Sequence, residues 1–127
     1  MKKILLINKN ISVYNNLQNN LISQGYTCIT ATNETVCDLL REEQTKLIIL
    51  YSKDQEMDLR LLEKLKNINP YILVIVIGKM NCVEEKIKWL ENGVCDCIDI
   101  DCSLGEMLAR IHALSRRAHS MNDENKD

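Results

Sequence analysis

Five times along this chain, a short and nearly continuous apolar run gives way to a segment whose apolar residues recur every three or four positions. The runs are "KILLI" (3–7), "YTCITA" (26–31), "KLIILY" (46–51), "YILVIVI" (71–77) and "VCDCIDI" (94–100), and they read as strands. The periodic segments are "SVYNNLQNNLISQ" (12–24), "ETVCDLLREEQ" (34–44), "MDLRLLEKLKNI" (57–68), "VEEKIKWLENG" (83–93) and "SLGEMLARIHALSRRA" (103–118), and they read as helices. A strand that is apolar along its whole length is covered on both faces, as strands of a parallel sheet are. Right-handed crossovers then give an α/β fold of five βα units, an open doubly wound parallel sheet in the order 2-1-3-4-5.

Local signals support these boundaries. Val13, Leu17 and Leu21 fall on one face of the first helix, and Gly25 ends it. Val36, Leu39 and Leu40 turn inward from the second helix; the third halts before Pro70 and the fourth at Gly93. The last opens with Ser103 and Glu106 at capping-box spacing and is expected to bury Leu104, Leu108, Ile111 and Leu114. The domain so drawn covers residues 1–118. The polar stretch 119–127, with Met121 as its apolar content, reads as a mobile linker or tail.

A chain of 127 residues fits one domain with a real core. A net charge of −2 does not mark the domain for direct contact with nucleic acid or a membrane surface. No apolar run reaches bilayer-spanning length, and "MKKILLINKN" is too short and polar for a signal peptide, so the expected compartment is the cytoplasm. The six cysteines, at 28, 37, 82, 95, 97 and 102, then read as reduced thiols packed as small hydrophobes.

In a sheet of this order, ligand sites lie beyond the carboxyl ends of the strands. The residues there are Asn8, Lys9, Tyr51, Gly78 and Ile100. The stretch "EEKIKWLENGVCDCIDIDCSLGEMLARIHALSRR" is similar to the last helix–strand–helix of OmpR/PhoB-like response-regulator receivers, in which "GLxxGADDYxxKPF" leads to "ELxARIxALxRR". The chain resembles that receiver family (CheY-like, flavodoxin-like fold) over residues 2–118.

The resemblance implies a phosphorylation site, and the sequence departs from it at each position. The family's acidic pair corresponds to Asn8 and Lys9, its acceptor aspartate to Tyr51, its hydroxyl after the fourth strand to Gly78 and its lysine to Ile100. The Pro and Gly of the loop after the acceptor are replaced by Gln55 and Leu59, and the Pro after the lysine by Asp101. The aromatic switch position in the fifth strand corresponds to Cys97. Mg²⁺ asks for carboxylate oxygens in octahedral array, which these positions do not supply. Without metal or lysine, little neutralises a transferring phosphoryl group, and a tyrosine hydroxyl is no substitute for an aspartate nucleophile. The expectation is a degenerate receiver: no aspartyl phosphorylation, no enzymatic activity, no cofactor and no metal.

The family's dimer surface of helix four, strand five and helix five uses charged pairs that correspond to Lys86 with Glu106 and Asp96 with Arg110, all of the expected sign. This implies a homodimer, serving as the regulatory module of a transcription regulator whose winged-helix DNA-binding domain would follow Arg116 and Arg117. Two other functions fit the residues: a stand-alone interaction adaptor, and a small-molecule or redox sensor using the vacated cleft or the thiols. Alternation points Cys95 and Cys97 to one face, and with Cys102 and perhaps Cys82 they could form a thiolate cluster, although C-x-C-x₄-C is not a zinc pattern. Asp54, Asp58, Asp99 and Asp101 read as loop and helix N-terminal charges or as a cation-recruiting cleft mouth. His112 and His119 stand alone and are given no role.

Overall fold

The computed structural model describes the backbone of residues 2–7 and 12–124, and side chains over 2–7 and 14–118. In chain order the elements are β1 (Lys2–Ile7), α1 (Ser12–Ser23), β2 (Tyr26–Ala31), α2 (Val36–Glu43), β3 (Leu47–Ser52), α3 (Gln55–Ile68), β4 (Leu73–Gly78), α4 (Val83–Glu91), β5 (Asp96–Asp99) and α5 (Leu104–Glu124). All strand pairs are parallel and the order is β2-β1-β3-β4-β5, as the alternation of segments implies.

The pleat divides the core into two layers, because successive strand residues face opposite sides. Ile4 and Leu6 of β1, Leu47 and Ile49 of β3 and Ile75 and Ile77 of β4 meet α1 and α5. Leu5, Ile7, Ile48, Leu50, Val74 and Val76 meet α2, α3 and α4. All six residues of β4 are buried, which is why that segment reads as continuously apolar. Each fully buried Leu or Ile contributes about 1.5–3 kcal/mol relative to exposure.

The elements differ from the sequence reading mainly at their ends. Tyr71, expected in the fourth strand, is 77% exposed and precedes it. β5 is shorter than 94–100, because after Asp99 the chain turns and the Cys102 amide donates to the Asp99 carbonyl at 3.0 Å. α1 buries Tyr14 along with Leu17 and Leu21; the side chain of Val13 lies outside the described residues. α5 buries Met107, Ile111, Leu114 and Ala118 and only partly covers Leu104 and Leu108. Its backbone stays helical to Glu124, six residues past the boundary drawn at 118. Gly25 closes α1 at φ 97°, a left-handed conformation that costs glycine little. The capping half of the box at α5 forms, with the Glu106 amide donating to Ser103 Oγ at 3.1 Å.

Candidate functional site

The carboxyl ends of β3 and β4 frame a cleft of about 310 Å³ lined by Tyr51, Lys53, Gln55, Gly78, Lys79 and Glu85, among others. Of the expected edge residues, Tyr51 and Gly78 therefore come together at the cleft. Ile100 lies just past β5, where its amide donates to the Gly78 carbonyl at 2.9 Å and its side chain packs on the α1–α5 layer. Asn8 and Lys9 lie outside the described residues. The Tyr51 ring is half-buried and meets Tyr14 edge-on, with centroids 6.1 Å apart. The Lys53 ammonium stands 5.8 Å from the same ring, a cation–π distance.

Gly78 is fixed by its neighbour. It pairs with Ser52 across the β3–β4 ladder, and a Cβ added there would lie 2.8 Å from the Ser52 carbonyl oxygen. The obstacle is backbone in the middle of a sheet, so a side chain at 78 requires the strands themselves to shift. The hydroxyl that the receiver resemblance asks for at this position has no room.

The acids near the edge have other work. Asp54 caps α3, accepting from the Met57 amide at 3.2 Å. Asp99 accepts from the Asp101 amide at 2.9 Å. Asp58, read from the sequence as a solvated loop or helix-end charge, is 4% exposed and accepts from Ser52 Oγ at 2.6 Å. Burial raises its pKa above the usual carboxylate value, against the lowering effect of the hydrogen bonds from Ser52 and the Asp54 region. The described residues of the cleft do not fit a divalent cation: they bring one carboxylate, Glu85, beside Lys53 and Lys79. Among the described residues no group of three or more His, Cys, Asp or Glu side chains is arranged to hold a metal.

The thiols do not form a pair. Cys95 stands one residue before β5 and packs on the α1–α5 layer, whereas Cys97 packs on the other. Strand alternation cannot be extended to a residue outside the ladder, which corrects the shared face expected from sequence. Burial, with help from Asp96, pushes the Cys97 thiol up to about 11, and burial does the same to Cys28. Cys102 is also raised, chiefly by burial. Thiols held protonated are poor redox or metal-binding groups.

On the far side, Arg110 of α5 joins both acids expected at the dimer face. Its Nη1 reaches Asp96 Oδ2 at 3.0 Å and Oδ1 at 3.2 Å, and its Nε reaches Glu106 Oε2 at 3.2 Å. These ion pairs hold Arg110 further toward its charged form, Asp96 most of all. Lys86 of α4 is exposed and makes no salt bridge among the described residues.

The sequence reading did not single out what lies beside Lys86. α4 buries only Trp89, and leaves Val83 65%, Ile87 48% and Leu90 51% exposed. At 3.6 residues per turn those three share one narrow stripe, facing away from Trp89. Their spacing of four and three was visible in sequence, but such spacing ordinarily marks the inward face.

No protein-family model matches the chain. Several solved structures are similar to it. A CheY-like response regulator receiver domain protein from Methanospirillum hungatei JF-1 aligns with TM-score 0.81 and 20% identity, over 95% of this chain and 98% of that one. An atypical orphan response regulator, whose structure is described as revealing a phosphorylation-independent regulatory mechanism, aligns at 0.76 and 24%, over 90% and 95%. NtrX from Brucella abortus aligns at 0.83 and 16%, over 99% of this chain but 29% of that longer one. The chain thus has the CheY-like receiver fold. Among the described residues no helix is long and apolar enough to cross a membrane.

Proposed function

We propose that this chain is a phosphorylation-independent, OmpR/PhoB-like receiver domain, a pseudo-receiver without catalysis, that works in the cytoplasm by homodimerising through α4, β5 and α5. The domain spans residues 1–118, and its role is to space two copies of a DNA-binding effector on half-sites. The observation that carries this reading is the exposed stripe of Val83, Ile87 and Leu90 beside Lys86, which makes no salt bridge among the described residues. A two-fold axis through that stripe sets apolar residues against their own copies and brings Lys86 of one protomer toward Glu106 of the other, as a self-complementary patch requires. Asp96 and Arg110 already pair within one chain, so exchanging that pair across an interface gains little. The apolar stripe supplies affinity and the charges set register.

The missing chemistry at the strand ends supports the other half of the reading. Lysines line the cleft, the described residues there include one carboxylate, Glu85, and backbone closes off position 78. The named orphan regulator of similar fold offers a precedent for regulation of this kind. Sedimentation equilibrium is the test. A dimer at micromolar concentration that Ile87→Glu converts to monomer is expected. A monomer at high micromolar concentration, unchanged by Ile87→Glu or Lys86→Glu, overturns the reading.

A further inference from the structure

α4 rests on the rest of the chain along a narrow seam. Of its nine residues only Glu85 and Trp89 are not exposed: Trp89 is buried in the core layer beneath the helix, and Glu85 is half-buried. They stand four apart, one above the other on the same face, and both line the strand-end cleft. Cys82, at the N-cap, gives α4 no side-chain hydrogen bond. A helix pinned mainly at one buried residue can tilt about it, and a second hold one turn away removes that freedom.

The second hold comes from across the cleft. Gln55, the first residue of α3, is half-buried, lines the same cleft and donates from Nε2 to the Glu85 carbonyl oxygen at 2.9 Å. A carbonyl oxygen has two lone pairs, so it accepts this bond in addition to the amide of the helical turn above it. Gln55 is itself well placed to hold, because Asp54 caps α3 beside it through the Met57 amide at 3.2 Å. The chain from the end of β3 through the start of α3 to the first turn of α4 is therefore continuous. The stripe of Val83, Ile87 and Leu90 lies on the outer side of α4, so any tilt about Trp89 would swing it.

We propose that Gln55 is a positioning residue: its bond to the Glu85 carbonyl latches the first turn of α4 and fixes the angle at which the stripe meets a partner. No phosphoryl group takes part. The inference rests on the reading of α4 as an association surface, although the latch can be read in a monomer. Its test compares Gln55→Ala and the isosteric Gln55→Glu, each alone and in the Ile87→Glu background. A glutamate at 55 keeps the shape, turns an acceptor toward the carbonyl, and adds an acid to the first turn of α3, where it favours that helix. In the Ile87→Glu background, amide hydrogen exchange over α4 should quicken about threefold to tenfold with either substitution, the loss of one hydrogen bond. Exchange over β4 and the urea midpoint of Gln55→Glu should stay unchanged, which a merely structural role would not allow. Without the Ile87→Glu change, the dimer should dissociate more readily by a similar factor in sedimentation equilibrium. Unchanged exchange over α4 overturns the latch, whatever the state of association. Quickened exchange with an unaltered dimerisation constant overturns the positioning of the stripe. Exchange that quickens equally over β1, β3 and β4 also overturns it, assigning Gln55 to general stability. A wild type that is monomeric sinks the dimerisation reading instead, and quickened exchange over α4 would still support the latch.

Discussion

The strand-end cleft and the outer face of α4 hold their side chains under different constraints. At the cleft, Gly78 and Ser52 are neighbours in a parallel ladder, and a Cβ at 78 would meet backbone at 2.8 Å. On α4, Val83, Ile87 and Leu90 project into solvent, where nothing within the chain dictates their identity. A position closed by backbone does not admit a side chain by replacing one residue, because the strands occupy the space. A position open to solvent can be changed without disturbing the fold. Apolar side chains in the open place therefore point to a partner, whereas the glycine in the closed place points to packing.

Substitutions can break that contrast from either end. Ile87→Glu places a charge within the stripe and should weaken self-association by about 2–4 kcal/mol, roughly thirtyfold or more. Sedimentation equilibrium reads that loss, while the urea midpoint of the monomer should hardly move. Gly78→Thr should do the reverse. It forces β3 and β4 apart, costs about 1–3 kcal/mol in urea unfolding, and should not make the protein accept phosphate from a phosphodonor.

Asp58 sharpens the account of the edge through pH. Its native pKa lies above the unfolded value of 3.8 because burial disfavours the charge. The folded state therefore holds its proton where the unfolded state has released it. This contribution to stability is full below 3.8 and declines as pH rises through the native value. Asp58→Asn, which keeps an acceptor for Ser52, should gain on the wild type as pH rises through that window, as urea titrations at several pH values would reveal. Arg110→Ala should have the smallest effect. Its pairs with Asp96 and Glu106 are partly exposed, so thermal unfolding should report a loss of under about 1 kcal/mol that shrinks with added salt.

The sheet was legible because its evidence is local: apolar runs, helical spacing and stops at Gly25 and Gly93 each lie within a few residues. The faces of elements were less so. Met107 and Tyr14 go inward because of how α5 and α1 are rotated against the sheet, which no single segment specifies. On α4 two apolar sets compete, and the large ring of Trp89 takes the buried side from Val83, Ile87 and Leu90. Asp58 reads as a charge near a helix start, and neither its burial nor its hydrogen bond from Ser52 at the end of β3 was visible along the chain. Cys95 and Cys97 look paired until the ladder is seen to begin between them. The edge positions Tyr51, Gly78 and Ile100 were placed from motif and strand end together, and the fold sets all three around the ends of β3 to β5. The steric reason for Gly78, a contact across strands, was not visible along the chain.

The central claim is that association does not depend on phosphoryl transfer. Sedimentation equilibrium of the same preparation, with and without a small-molecule phosphodonor and Mg²⁺, addresses it most directly. One dimerisation constant under both conditions is the expected result. A monomer that pairs only after the donor is added, carrying a hydroxylamine-labile phosphate, would contradict it.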